Sequence, residues 1–288
     1  MEAYQVVCDS SDRERWLEER NNLVTASDVA CLLGVNPYKS ALELYLEKTG
    51  QREPFAGNET TEWGLLLEPV IIEEYERRTQ RIAIRDGKLL RSNAYPFLGC
   101  TMDGRWRKQL QDAPWHPLEI KTTGAHRADD WDEGVPEYYL PQVQAQMIVT
   151  DTPMASVACL IGGQRMVWCD VERDDEMCVE IISAASDFMH AVETENPPPS
   201  SDPKALAELY GDDGRVVTLD QEAITLDGEL ADARELIDRG MKARDECNAQ
   251  LLTMIGDAHK GVLPGDAKGG FVKAKSKAGK VYLRRVKR

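Results

Sequence analysis

Residues 115–124 read WHPLEIKTTG. An ordinary half-buried strand alternates apolar and polar residues, so Glu119 and Lys121, two apart, would both face water. The alternative turns that same face inward, setting the carboxylate against a metal ion and the amine against a phosphate. What stands around the strand separates the two readings.

Upstream lies GCTMDGRW, residues 99–106. Asp103-Gly104 reads first as a surface turn pair. Its relation to Glu119 gives a second reading. If Phe97–Lys108 and Pro114–Lys121 form an antiparallel hairpin turning near Gln111–Asp112, Asp103 falls opposite Glu119. Two carboxylates side by side on a sheet repel, at a cost of a few tenths to ~1 kcal/mol, unless a cation sits between them. Mg²⁺ takes hard oxygen ligands and usually only one or two carboxylates. Asp103 and Glu119 supply these, and the backbone carbonyl of Ile120 offers a third ligand. Lys121 would orient an attacking water and steady charge on the phosphate. Glu68, in LLLEPVII, is either at a helix edge or turned inward, which would make it a further ligand. In YYLPQVQAQM, Gln142 and Gln146 share one helix face and Gln144 lies roughly opposite, so one side of that set can meet the sheet.

The rest of the chain reads as a mixed α/β layout, a central sheet flanked by helices. Helices are expected from Ser27 or Thr25 as cap to Leu33, over Ser40–Lys48, over Thr61–Thr79 with Pro69 near its first turn or at a kink, over Pro141–Val149 and over Asp174–Val192. Strands are expected at Ile82–Ile84, Phe97–Met102, Leu118–Lys121, Ala155–Ile161 and Arg165–Val171. The Pro/Ser-rich ENPPPSSDP predicts a linker at 196–203 between a domain of residues 1–195 and an appendage of residues 204–288. In the appendage, Leu226–Ile255 carries an interrupted heptad-like seam, read as a helical hairpin or docking helix. GGFVKAKSKAGKVYLRRVKR predicts a small basic β-hairpin turning at Lys277–Gly279.

Composition limits the function classes. No apolar run approaches the ~18–20 residues that cross a bilayer, and the first residues lack a signal-peptide core, so a cytoplasmic protein is expected, with no membrane partner. Seven scattered cysteines without a CxxC pair argue against a disulfide framework and against zinc or iron–sulfur sites. The net charge is −15, yet the stretch from Ala267 onward holds nine Lys and Arg and no acid. Bulk charge governs solubility and steering rather than what one groove binds, so nucleic acid stays open as a partner.

Five ordered blocks then carry a resemblance: WLEERNNLVTASDVACLLG (16–34), WGLLLEP (63–69), CTMDG (100–104), LEIKTT (118–123) and LPQVQAQM (140–147). The pattern of Asp103 with Glu119-Ile-Lys121 resembles the PD-(D/E)xK nuclease superfamily. The blocks together are similar to the lambda-type phage exonucleases, the YqaJ-like viral recombinase family, over roughly residues 14–192. The resemblance implies a restriction-endonuclease-like α/β core. It implies a Mg²⁺-dependent 5′→3′ exonuclease on double-stranded DNA, phage- or prophage-encoded, that leaves 3′ single strands for recombination, with Mn²⁺ as substitute metal. Glu68, Asp103, Glu119 and Lys121 would be catalytic, Gln144 the glutamine near the active site, and Arg20 and Ser27 the holders of the 5′ phosphate. A guanidinium suits phosphate through its paired donors. The family also implies a ring-shaped trimer on DNA ends and a single-strand annealing protein as partner. Channel candidates are Arg77, Arg78, Arg81, Arg85, Lys88 and Arg91, with Arg105, Arg107 and Lys108, against the plain alternative of a solvated face.

Two other readings compete. One is an endonuclease of the same superfamily, of the restriction or junction type. The other is a nuclease fold retained without activity to dock a recombination partner. The Arg20/Ser27 block favours end recognition, and the full set of acidic residues and lysine favours activity.

Overall fold

The computed structural model describes residues 2–109, 113–264, 266–275 and 281–286. The chain divides into two compact units, Met1–Gly211 and Asp212–Arg288. In the first unit the order is β1 (Tyr4–Asp9), α1 (Arg13–Asn21), β2 (Val24–Thr25), α2 (Val29–Leu32), α3 (Ala41–Lys48), α4 (Glu59–Thr79), β3 (Ile82–Arg85), β4 (Lys88–Ser92), β5 (Leu98–Thr101), β6 (Gly104–Arg107) and β7 (His116–Thr123). Two short 3₁₀ turns lead to α5 (Leu140–Thr150), β8 (Met154–Ile161), β9 (Arg165–Glu172), α6 (Asp175–Glu193) and α7 (Pro203–Tyr210).

The α/β class agrees with the sequence reading, but the expected central sheet is two sheets. One runs β1-β4-β5-β2, the other β3-β6-β7-β8-β9. The second is mixed: β7 pairs antiparallel with β6 and parallel with β8. The strand expected over Phe97–Lys108 is broken, because the chain leaves one sheet after Thr101 and enters the other at Gly104. The partner ribbon crosses at the same place, where the amides of Asp86 and Gly87 donate to the carbonyls of Asp103 and Met102. Asp103 therefore stands at the seam between the sheets. Gly104 is not a surface turn residue. It is buried, and a Cβ there would meet the Ile84 carbonyl oxygen at 2.9 Å. The expected antiparallel register does hold, with Gly104 opposite Leu118 and Arg105 opposite Pro117. The turn expected near Gln111–Asp112 lies outside the described residues.

β7 is the central strand. His116 to Ile120 are all buried, so alternation in this segment does not mean alternation between core and water. Leu118 and Ile120 join Ile71, Ile72 and Tyr75 of α4 in one cluster. Each such side chain contributes roughly 1.5–3 kcal/mol on full burial. α4 continues without interruption past Pro69, which faces solvent. Packing of Ile71, Ile72 and Tyr75 outweighs the ~3 kcal/mol that an interior proline costs a helix. α5 packs on β4 and β5 of one sheet and on β7 and β8 of the other. Nearly every residue of α5 is buried, Gln144 and Gln146 included.

α2 is capped by neither Ser27 nor Thr25. Asp28 occupies the cap position, and its carboxylate turns back to Thr25. Ser40 and Glu43 form a reciprocal capping box that starts α3. The expected boundary at 196–203 lies too early: Ala205 of α7 is fully buried in the main core and Glu208 pairs with Arg52 at 2.6 Å, so the first unit runs to Gly211.

The second unit holds α8 (Gln221–Ile255), β10 (Lys260–Leu263), β11 (Asp266–Lys275) and β12 (Val281–Val286). α8 is one continuous 35-residue helix rather than a hairpin, and none of its residues is buried. Asp220 caps it through the amides of Glu222 and Ala223. β11 and β12 pair from Gly270–Val286 to Lys275–Val281, which is the expected hairpin, and β10 adds a third antiparallel strand. The turn at Lys277–Gly279 lies outside the described residues.

Candidate active site

Glu119 sits in the middle of β7 and is 2% exposed, so the reading in which it faces water fails. Its carboxylate is gripped from three sides. Lys121 Nζ lies 2.5 Å from Oε1, Gln142 Nε2 donates to Oε1 at 2.6 Å, and Gln146 Nε2 donates to Oε2 at 2.6 Å. Lys121 also donates to Gln142 Oε1 at 3.0 Å, closing a small ring of hydrogen bonds. Asp103 reaches the same place from the sheet seam: the Ile120 amide donates to its Oδ2 at 2.8 Å. Glu68, on the buried side of α4, is held by Arg85 at 3.1 Å.

The electrostatics follow from this crowding. Burial pushes the Asp103 carboxyl well above the usual carboxylate range, and the neighbouring Glu119 pushes it further. Burial likewise raises Glu68, with Arg85 opposing and Glu119 adding to the rise. Burial works against the Lys121 ammonium, but the Glu119 and Asp103 carboxylates outweigh it and the amine stands above the ordinary lysine value. Tyr139, whose ring lies 4.8 Å from Lys121 Nζ, is pushed up to about 12 by burial.

Asp103 and Glu119 offer hard oxygen donors with too little positive charge around them, and two carboxylates are what Mg²⁺ ordinarily takes from a protein. The donor set fits a divalent cation. Among the described residues no group of three or more His, Cys, Asp and Glu is arranged around one point, and Glu68 is turned to Arg85. As it stands, the site is a carboxylate pair with a third acid beside it. Ile120 meets the pair through its amide, which donates to Asp103.

Gln144 is not at the site. Its Nε2 donates to the Glu172 carbonyl at 2.9 Å, and its Oε1 accepts from the Asp174 amide at 3.0 Å, so it ties α5 to the corner between β9 and α6. The glutamines that meet Glu119 are Gln142 and Gln146. Their four-residue spacing signalled a common face, but the helix is buried all round and periodicity alone did not say which face met the sheet.

Arg20 and Ser27 do come together, with Arg20 NH2 donating to Ser27 Oγ at 3.0 Å. Two residues missed by sequence reasoning complete the place. Asp28 is paired with Arg20 at 3.3 Å and with Lys48 at 3.3 Å, and Lys48 also donates to the carbonyls of Arg20 and Leu23. Burial opposes the charged Asp28, yet Lys48, Arg20 and the two Thr25 hydrogen bonds hold it far below the usual range.

The proposed channel arginines are largely committed elsewhere. Arg81 forks onto Asp170 at 2.7 and 2.6 Å and stacks 3.8 Å over Trp106, so it anchors a network with Tyr75 and Ser156 rather than facing a duplex. Arg77 and Arg78 share Glu74. Arg105 pairs with Asp86 at 2.8 Å, and both Arg105 and Arg107 lie against Trp115. Arg91 donates to the Pro96 carbonyl.

Residues 15–153 match the YqaJ-like viral recombinase domain. The uncharacterized protein YqaJ of Bacillus subtilis (strain 168) is 34% identical over 202 residues, which is 69% of this chain and 62% of that protein. An uncharacterized protein of Acanthamoeba polyphaga mimivirus is 27% identical over 147 residues, 48% of this chain and 27% of that one. The chain thus spans less than two thirds of either relative. Among solved structures, an alkaline exonuclease from Laribacter hongkongensis superposes with a TM-score of 0.52 at 23% identity, over 64% of this chain and 94% of that one. Its complex with dAMP gives 0.50 at 22% identity, over 68% and 97%. At that identity the likeness carries the fold. No helix among the described residues is long and apolar enough to cross a membrane.

Proposed function

We propose that this chain, whose residues 15–153 match the YqaJ-like viral recombinase domain, is a Mg²⁺-dependent nuclease that degrades duplex DNA from 5′-phosphorylated ends, 5′ to 3′. The observation that carries the reading is buried Glu119, with Lys121 beside it, on a central strand where a structural protein would place apolar residues, and half-buried Asp103 brought against that strand from the sheet seam. The fold shared with an alkaline exonuclease supports it.

Asp103 and Glu119 would hold the cation, with Glu68 and the Ile120 carbonyl as further candidate ligands. A bound Mg²⁺ supplies Lewis acidity toward the scissile phosphate and its attacking water. The protein's own residues do the rest. Gln142 and Gln146 fix the Glu119 carboxylate, in the manner of outer partners that orient a metal ligand. Lys121, kept protonated by its two acidic neighbours, sets a positive charge where the phosphate gains negative charge. Arg20 and Ser27 bind the terminal phosphate and fix the register of cutting. The ring-shaped trimer, the annealing partner and the use of Mn²⁺ in place of Mg²⁺ belong to the same proposal, and light scattering of the purified chain measures the first.

The deciding experiment incubates linear duplex carrying 5′-phosphate or 5′-hydroxyl ends, and a closed circle, with Mg²⁺ or with EDTA. Release of mononucleotides from the 5′-phosphorylated linear duplex in Mg²⁺ alone is expected. Cutting of the closed circle would establish an endonuclease instead, and inertness toward every substrate a docking protein.

A further inference from the structure

The Arg20–Ser27 contact does not stand alone, and what lies behind it has no assigned role. Asp28 is 4% exposed at its side chain and Lys48 6%, while Arg20 is 31% exposed. Asp28 divides its oxygens. Oδ1 takes Arg20, whereas Oδ2 takes the Thr25 amide at 3.0 Å, the Thr25 hydroxyl at 2.7 Å and Lys48. Lys48 in turn pins the carbonyls of Arg20 and Leu23 at 2.9 and 2.7 Å. Both ends of the segment from Arg20 to Asp28 are therefore fastened to the last turn of α3 by one buried amine. Arg20 uses NH2 for these contacts, its Nε and NH1 make no further hydrogen bond among the described residues, and its guanidinium lies 5.0 Å from the Trp16 ring centroid.

We infer that Asp28 is the positioning residue of the 5′-phosphate site, with Lys48 as its counter-charge: the pair orients the Arg20 fork toward the phosphate. The inference rests on the proposed end-recognising nuclease. Charge alone points the other way. An anion beside a phosphate site repels the ligand, so if Asp28 acted only through its field, losing it would strengthen phosphate binding. Lys48 at 3.3 Å cancels that field within the protein, and what Asp28 then contributes is direction. A guanidinium held by one edge presents the other in a fixed plane, whereas a free one must be ordered on binding.

The test uses the full chain with Mg²⁺ and compares kcat and KM on duplexes with 5′-phosphate and 5′-hydroxyl ends. The double variant Asp28→Asn/Lys48→Met removes one negative and one positive charge together, keeps the aliphatic stem, and leaves Arg20 as the cation. Its kcat/KM on 5′-phosphorylated ends is expected to fall about 10- to 100-fold, as for loss of a charged hydrogen bond. The fall should reside in KM and be much smaller on 5′-hydroxyl ends. An unchanged preference for 5′-phosphate in a folded double variant overturns the inference, and so does a strengthened one. Arg20→Lys decides the matter where the double variant does not fold. A lysine keeps the charge but cannot span Ser27 and Asp28 while facing a ligand, so the preference should be lost, and its full retention overturns the positioning role. A wild-type chain inert on both ends would fail the nuclease reading itself, a different outcome.

Discussion

Gln146 Nε2 donates to Glu119 Oε2 at 2.6 Å, both groups fully enclosed between α5 and β7. That contact sets one oxygen of Glu119, as Lys121 and Gln142 set the other. Replacing Gln146 by Leu is expected to lower nuclease turnover about 10- to 100-fold, the usual cost of removing a partner that orients a metal ligand. Gln144→Ala should leave turnover near wild type and lower the melting temperature by about 2–4 °C, for roughly 1 kcal/mol of lost hydrogen bonding. Parallel kinetics and thermal unfolding of the two variants check the pair. The reverse pattern would restore Gln144 to the site.

Asp103→Asn should stabilise the protein without divalent cation. The native Asp103 carboxyl holds its proton more tightly than the unfolded chain does. Its contribution to stability is therefore complete below the ordinary carboxylate range and is lost as pH rises through the raised native value. The melting temperature of Asp103→Asn minus that of wild type, measured in EDTA, is expected to grow from about pH 4 upward and to level off above the raised native value. A flat or falling difference would mean that the acid is not strained in the native state.

Mg²⁺ acts on the same strain. A ligand that binds only the folded state stabilises it by about 2.7 kcal/mol at a hundredfold excess over its Kd. Titrating Mg²⁺ should raise the wild-type melting temperature and leave Asp103→Asn/Glu119→Gln unmoved. A rise of the same size in both would place any cation elsewhere.

Lys121→Ala is expected to reduce turnover about 10²- to 10³-fold, as for loss of one group aimed at developing charge. Because the lysine is shifted upward, its proton should not limit the rate between pH 8 and about 10. A pH–rate profile on linear duplex shows both effects together.

Arg81 separates structure from binding. The Arg81–Asp170 pair is partly exposed, and removing one partner of such a charged, forked hydrogen-bond pair costs about 1.5–3 kcal/mol. Arg81→Gln is thus expected to lower the melting temperature while leaving unchanged the slope of DNA affinity against salt, which counts phosphate contacts. A shallower slope would return Arg81 to the interface.

Much of this was legible in the sequence for physical reasons. β7, α5, β8, β9 and α6 carry long apolar patterns with recognisable ends, and the structure moves their limits by only a residue or two. The antiparallel register between Asp103-Gly104 and Leu118-Glu119 was legible too, because chain direction and a short turn leave few alternatives. β1 and β4 were not seen, since YQVVCD and KLLRS are short and carry mixed patterns. The break at Met102–Asp103 was hidden because hydrogen bonding to a distant ribbon, not local preference, makes the chain change sheets. At Arg20 and Ser27 the sequence disclosed the pair but not Asp28 and Lys48. The carboxylate read as part of a helix start, and the lysine lies twenty residues further on, so only folding brings them together.

The two bonds of Gln144 have a mechanical consequence. Gln144 fastens α5 to Glu172 and Asp174 on one flank while Gln142 and Gln146 clasp Glu119 on the other. Successive helical residues lie about 100° apart, so a small roll of α5 about its own axis loosens both flanks at once. The azimuth of one helix is thereby held from two sides. The corner between β9 and α6, which bears no reacting group, thus shares the load of holding α5, while the contacts of Gln142 and Gln146 set the aim of Glu119.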